Sequence, residues 1–193
     1  MTLPTVSRAL IGLFLINLAA ALVLSLFLPP AGALAAAPGG KGLLTVALWA
    51  SAVFYPVSAL AQSAVLSLVA WSIASLMGTS ISFSPTIRAL LTAEFPLAAA
   101  APWSALVIAL RGGAATPADL AVPTGLGAFM SLPAGWISVL AEQAGLFHIV
   151  WVAAMLYLFR TQLHLPRGAA WTAALACWMT ALGGALIRAN LTS

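Results

Sequence analysis

Charged residues are spaced so widely along this chain that the stretches between them are long enough to cross a membrane. No charge falls between Arg8 and Lys41, or between Lys41 and Arg88. A membrane-spanning helix needs about 20 apolar residues, each adding about 1.5 Å of rise. The 193 residues include seven basic and three acidic side chains, so 5% are charged. An ordinary soluble domain carries about 25%. Apolar residues make up 63% of the chain, and the mean hydropathy is +1.12. Too few charges exist to build the polar shell that water requires, so lipid must be the solvent for most of the surface. The pattern predicts an all-α, polytopic integral membrane helix bundle that forms a single transmembrane domain over residues 1–193.

Five spans are predicted, at residues 8–28, 57–77, 85–110, 144–160 and 169–187, with short interfacial segments. The first is expected to be a retained helix rather than a signal peptide, because its apolar run exceeds the usual ~7–15-residue signal core and Pro29-Pro30 ends it. Residues 43–77 carry no charge but are broken by Pro56. They read as an interfacial piece with Trp49 and Tyr55 followed by one span; the alternative is two spans turning near Pro56. Ser84-Pro85 reads as a capped helix start. Pro96 and Pro102 predict a kink or local unwinding in the third span. Thr116-Pro117-Ala118-Asp119 reads as the cap of a short surface helix, and Glu142 and Gln143 as interfacial. An odd span count puts the termini on opposite faces. Arg8, Arg88, Arg160 and Arg167 then collect on one side, and Lys41, Arg111 and Arg188 on the other, which favours a cytoplasmic N-terminus.

Lipid gives helices no hydrophobic reason to associate, so they pack through small residues that let backbones approach closely. In the fifth span Ala169, Ala173, Cys177, Ala181 and Ala185 recur every four residues and predict a packed ridge. Shorter runs occur at Ala101, Ala105 and Ala109, and at Ala70, Ala74 and Gly78.

Among the polar residues, Glu94 stands out. A carboxylate near the bilayer centre costs roughly 2.5–3.5 kcal/mol on insertion scales, and Pro96 frees the Thr92 carbonyl beside it. Glu94 reads either as an interfacial residue reaching the headgroups or as a protonatable group or helix contact, acting through packing and polarity rather than as a catalytic acid. Asn17 and Gln62 read as hydrogen-bond partners between helices.

Several functions find no support in the sequence. His148 and His164 lie about 24 Å apart along a helix, too far to hold one iron. No phosphate-binding loop, metalloprotease motif, nucleophile elbow or paired-cysteine motif occurs, so neither an enzyme nor a cofactor is expected. One cysteine excludes an intrachain disulfide. Seven scattered basic residues make no nucleic-acid surface. The expected partners are the lipid bilayer and other membrane proteins, or a second copy of the chain.

Two stretches resemble the Yip (Ypt-interacting protein) membrane family. One is Leu76-Met77-Gly78-Thr79-Ser80-Ile81-Ser82-Phe83, running through Arg88 to Phe95-Pro96. The other is Leu146-Phe147-His148-Ile149-Val150-Trp151, followed by an Arg-bounded loop and an Ala-rich last span. The likeness covers residues 57–187. It implies five spans, an N-terminus inside, and a non-enzymatic protein acting through helix-to-helix contacts. The family's Tyr-Gly-Pro-type motif is missing and only seven residues precede Arg8, so GTPase binding does not carry over. The alanine bias resembles a high-GC bacterium, which places the chain in the bacterial inner (plasma) membrane. Two alternatives are an accessory subunit of a larger respiratory or photosynthetic membrane complex, and a small transporter using Glu94 and Asn17.

Overall fold

The computed structural model describes residues 3–27, 40–113, 122 and 136–192. Among them the secondary structure is entirely helical. The helices are α1 (Val6–Leu26), α2 (Gly40–Leu76), α3 (Phe83–Ala98), α4 (Ala100–Leu110), α5 (Trp136–Gln143), α6 (Leu146–Thr161) and α7 (Arg167–Thr192). Four stretches are long and apolar enough to cross a membrane: Val6–Leu26, Thr45–Leu76, Phe83–Leu110 and Arg167–Leu191. Helix α6 has 16 residues, about 24 Å of rise, somewhat short of a ~30 Å hydrocarbon core. The expected surface helix at 116–119 lies outside the described residues.

The main departure from the sequence reading is α2. The separate interfacial piece expected over residues 43–55 is absent, and one 37-residue helix runs straight through Pro56. Proline removes a single ladder bond, to the Ala52 carbonyl. With no water to compete for the remaining backbone groups, that loss does not end a helix in lipid. The third span follows the expectation more closely. Its helix is interrupted at Ala99, between α3 and α4, three residues before Pro102, which offers no N–H to the Ala98 carbonyl. The start of α3 is earlier than Ser84-Pro85 implied. Ser82 is its N-cap residue, and the Thr86 hydroxyl donates back to the Ser82 carbonyl at 2.8 Å.

Ends and turns follow local chemistry. The Thr5 side chain caps α1 by accepting from the Arg8 amide at 3.4 Å. At the end of α2, Gly78 has φ +73°. Its N–H reaches the Ser75 carbonyl at 3.0 Å while Thr79 N–H reaches Ala74 at 2.8 Å. That pair of bonds closes a helix through a left-handed residue, which glycine adopts without strain.

Helix α2 packs on α1, α3 and α7, and α3 packs on α1, α2 and α6. One apolar cluster joins Leu66, Ala70 and Ala74 of α2 to Leu90 of α3, Trp151, Met155 and Phe159 of α6, and the small residues of α7. A second joins Ala9 and Leu13 of α1 to Ala59, Leu91 and Ala98. Gly12 sits where a Cβ would come within 2.9 Å of the Phe95 ring, so α1 and α3 approach more closely there than alanine would allow. Gly168, at the start of α7, lies beside the Met77 side chain at the end of α2, and the Cys177 thiol donates to the Leu66 carbonyl at 3.5 Å. These two contacts make α2 and α7 antiparallel.

Most hydroxyls within the apolar helices are satisfied locally. Ser25, Ser51, Ser58, Ser67, Thr92, Ser104 and Thr180 each donate to a carbonyl three or four residues back in their own helix. Such bonds remove polar cost in lipid but do not tie helices together.

Candidate functional site

Glu94 follows from its helix. It is the twelfth residue of the Phe83–Leu110 stretch, about 16 Å along a 28-residue path, and it is only 2% exposed. It therefore lies near the middle of that apolar stretch, buried within the bundle. Burying an acid there is costly without a partner, and Glu94 Oε1 makes no hydrogen bond. The Trp151 indole lies against the carboxyl, yet Trp151 Nε1 also closes no hydrogen bond. The two groups are neighbours held slightly out of bonding geometry.

Both face a cavity of about 530 Å³. Helix α2 contributes Tyr55, Ser58 and Gln62 to its wall, α5 contributes Gln143, α6 contributes His148 and Trp151, and α7 contributes Ala181 and Arg188. Gln143 Oε1 is buried and likewise without a hydrogen-bond partner. The His148 and Trp151 rings meet edge to face at 6.5 Å between centroids, which fixes the indole against the cavity wall. A second groove of about 280 Å³ runs between α2 and α7 and shares Gln62, Ala181 and Arg188 with the first cavity. The two spaces thus adjoin at the α2–α7 seam. Ligand sites commonly occupy about 300–1,000 Å³, so there is room for a small solute or several waters.

The other sequence candidates divide between packing and polarity. Ala169, Ala173 and Cys177 are buried, as are Ala170 and Ala174 in a second row. Ala181 is half-buried and belongs both to the core edge and to the cavity wall. Gln62 lines the cavity. Asn17 corrects an expectation: it is buried, but its side-chain amide donates to Leu13 of its own helix at 2.9 Å. An asparagine in a helix finds the carbonyl four residues back without any neighbour in register, and that local bond wins. Gln143 lines the cavity, and the Glu142 side chain lies outside the described residues. His164 stands in the turn after α6 with φ +53°, away from His148. Among the described residues no cluster of metal-binding side chains occurs.

Tyr55, Gln143, His148, Trp151 and Arg188 were not expected to share a site. Part of the signal was present, since Tyr55, Ser58 and Gln62 recur at i, i+3 and i+7 and place one polar stripe on an apolar helix. Comparison with protein families, curated proteins and solved structures finds no match to this chain.

Proposed function

We propose that this chain is a non-enzymatic, five-crossing membrane protein whose central cavity binds a small solute bearing N–H donors, of the primary amine or ammonium class. In this reading it is a small transporter or solute-binding protein of a bacterial inner membrane. The observation that carries it is the pairing of Glu94 Oε1 and Gln143 Oε1, two buried acceptors without partners on one cavity. Buried polar groups are normally satisfied, so two vacant acceptors just behind the wall of one chamber point to a donor from outside the chain, reached by a small turn of each side chain. An ammonium offers up to three N–H donors and a charge opposite to that of a carboxylate.

The test uses the full chain in lipid nanodiscs, melted with a small primary amine, a neutral alcohol or a carboxylate of equal size. The amine should stabilise selectively, by about 2.7 kcal/mol at a hundredfold excess over its dissociation constant. Glu94→Gln should fold normally and lose that shift. An unchanged shift in Glu94→Gln would sink the reading.

Five crossings require that α6 traverse the membrane with help from α5. Its first turns line the cavity with Arg188, near the end of α7, and its last turn leads into Arg167, at the start of α7. A path antiparallel to α7 supports a crossing despite its length, because a bilayer thins locally around short helices. Reporter fusions at Ser193 should then give the outer-face signal and N-terminal fusions the cytoplasmic one. A cytoplasmic signal from both ends would reduce the count to an even number.

A second reading, Yip-type action through contacts with itself or with other membrane proteins, has one observation in its favour. Ala176, Thr180 and Gly184 repeat every four residues along α7, the last two are exposed, and a Cβ at Gly184 would meet nothing within 4 Å. A defined oligomer or heteromer in mild detergent that Gly184→Leu dissociates would favour that reading over solute binding.

A further inference from the structure

The opposite end of the α6–α7 pair carries a different kind of cavity. About 660 Å³ of space is lined by Tyr157, Arg160, Thr161, Pro166, Arg167 and Trp171. Arg160 ends α6 and Arg167 begins α7, so the tight turn between the helices brings two guanidinium groups to one hollow. Both arginines are exposed, and neither has a hydrogen-bond or ion-pair partner within the described chain. Tyr157 and Trp171 are about half exposed beside them, at 58% and 46%. Such aromatic side chains settle at the headgroup level of a bilayer.

A second groove of about 420 Å³ continues from this hollow down the outer face of the same two helices. Val152, Ala153, Leu156, Trp171, Leu175 and Trp178 form most of its wall. Leu156 and Trp171 belong to both spaces. A charged hollow at headgroup depth therefore opens into an apolar channel at acyl-chain depth. That sequence of chemistries along the membrane normal matches a lipid and not a soluble anion.

We propose that an anionic phospholipid binds along the α6–α7 face, with its phosphate between Arg160 and Arg167 and one acyl chain in the groove from Leu156 to Trp178. Guanidinium groups make paired, charge-assisted hydrogen bonds to phosphate oxygens. The first turn of α7 adds backbone N–H groups that helix geometry leaves without partners, and these favour an anion. Basic pockets between membrane helices are a general means of holding anionic headgroups. The chain in the groove covers large apolar side chains that otherwise meet disordered lipid, and the phosphate sets its position. The arginine hollow shares no lining residue with the Glu94 cavity, whereas the far end of the groove meets that cavity at Gln143 and His148.

The experiment titrates the full chain in neutral detergent with phosphatidylglycerol, with phosphatidylcholine of the same acyl chains, and with inorganic phosphate. Melting temperature and native mass are the readouts. Phosphatidylglycerol should raise the melting temperature and remain bound in the mass spectrum. Phosphatidylcholine should bind more weakly, and inorganic phosphate should do neither. Arg160→Gln and Arg167→Gln should each weaken phosphatidylglycerol binding roughly tenfold or more, the scale of one charge-assisted bond, while the exposed Arg8→Gln should leave it unchanged. Ala153→Phe fills the groove without touching the arginines and should weaken both lipids alike. Equal binding of the two lipids by the wild-type chain would overturn the proposal even if the arginine variants failed to fold. So would an effect of phosphate alone equal to that of the lipid, or full retention of phosphatidylglycerol by a folded Arg160→Gln/Arg167→Gln chain.

Discussion

Trp151→Ala is expected to lower the unfolding free energy by about 2–4 kcal/mol, measured by denaturing-detergent titration in mixed micelles. Trp151 is fully buried and packs with Met155 and Phe159 against α2, α3 and α7. In soluble cores a change of this size costs about 3–5 kcal/mol, made up of a transfer term and a cavity term. In a membrane the separated helices still lie in lipid, so the transfer term largely disappears while the lost packing remains. The polar cavity already touches Trp151, so truncation enlarges an existing space that the surrounding helices cannot collapse to fill. Trp151→Phe retains most of the contact and should cost under about 1.5 kcal/mol. Equal losses for the two variants would mean that the indole's polar contact, rather than its bulk, holds this region.

Ala173→Leu should cost about 1–3 kcal/mol by overpacking and should separate α7 from α2. Ala173 has no exposed surface, and Cys177, one turn further on, touches the α2 backbone through its thiol. A leucine there has no room unless the two backbones move apart. Met179→Ala, on the exposed side of the same helix at 58% exposure, should stay within about 0.5 kcal/mol. Similar losses at both positions would show that α7 is not oriented by its small-residue face.

The ridge at Ala169, Ala173 and Cys177 was legible in the sequence because a four-residue spacing is a local property of one helix. Its second row, Ala170 and Ala174, needs the position of α6 as well and could not be read from spacing alone. The unbroken helix through Pro56 is illegible for a related reason. Proline is a strong stop signal in water, where a freed carbonyl has an easy alternative partner, but lipid offers none and the helix continues. Glu94 was recognisable as an expensive residue. Its surroundings were not, because Tyr55, Gln143, His148 and Arg188 come from helices far away in the chain, and no short-range pattern dictates that they meet. Asn17 is the opposite case: its partner lies a turn back on its own helix and not on another.

The inward donation of serine and threonine hydroxyls has a consequence for biosynthesis. A helix whose polar groups are satisfied internally needs no companion when it leaves the insertion machinery, so α1, whose Asn17 and Ser25 bond within the helix, can enter the bilayer as it is translated. Helix α6 is different. At 16 residues it falls just below the usual length of a span, and its buried face meets α3 as well as α7. If α6 crosses, it does so against helices already in place, and a ribosome stalled before Arg167 would leave only its α7-facing side uncovered.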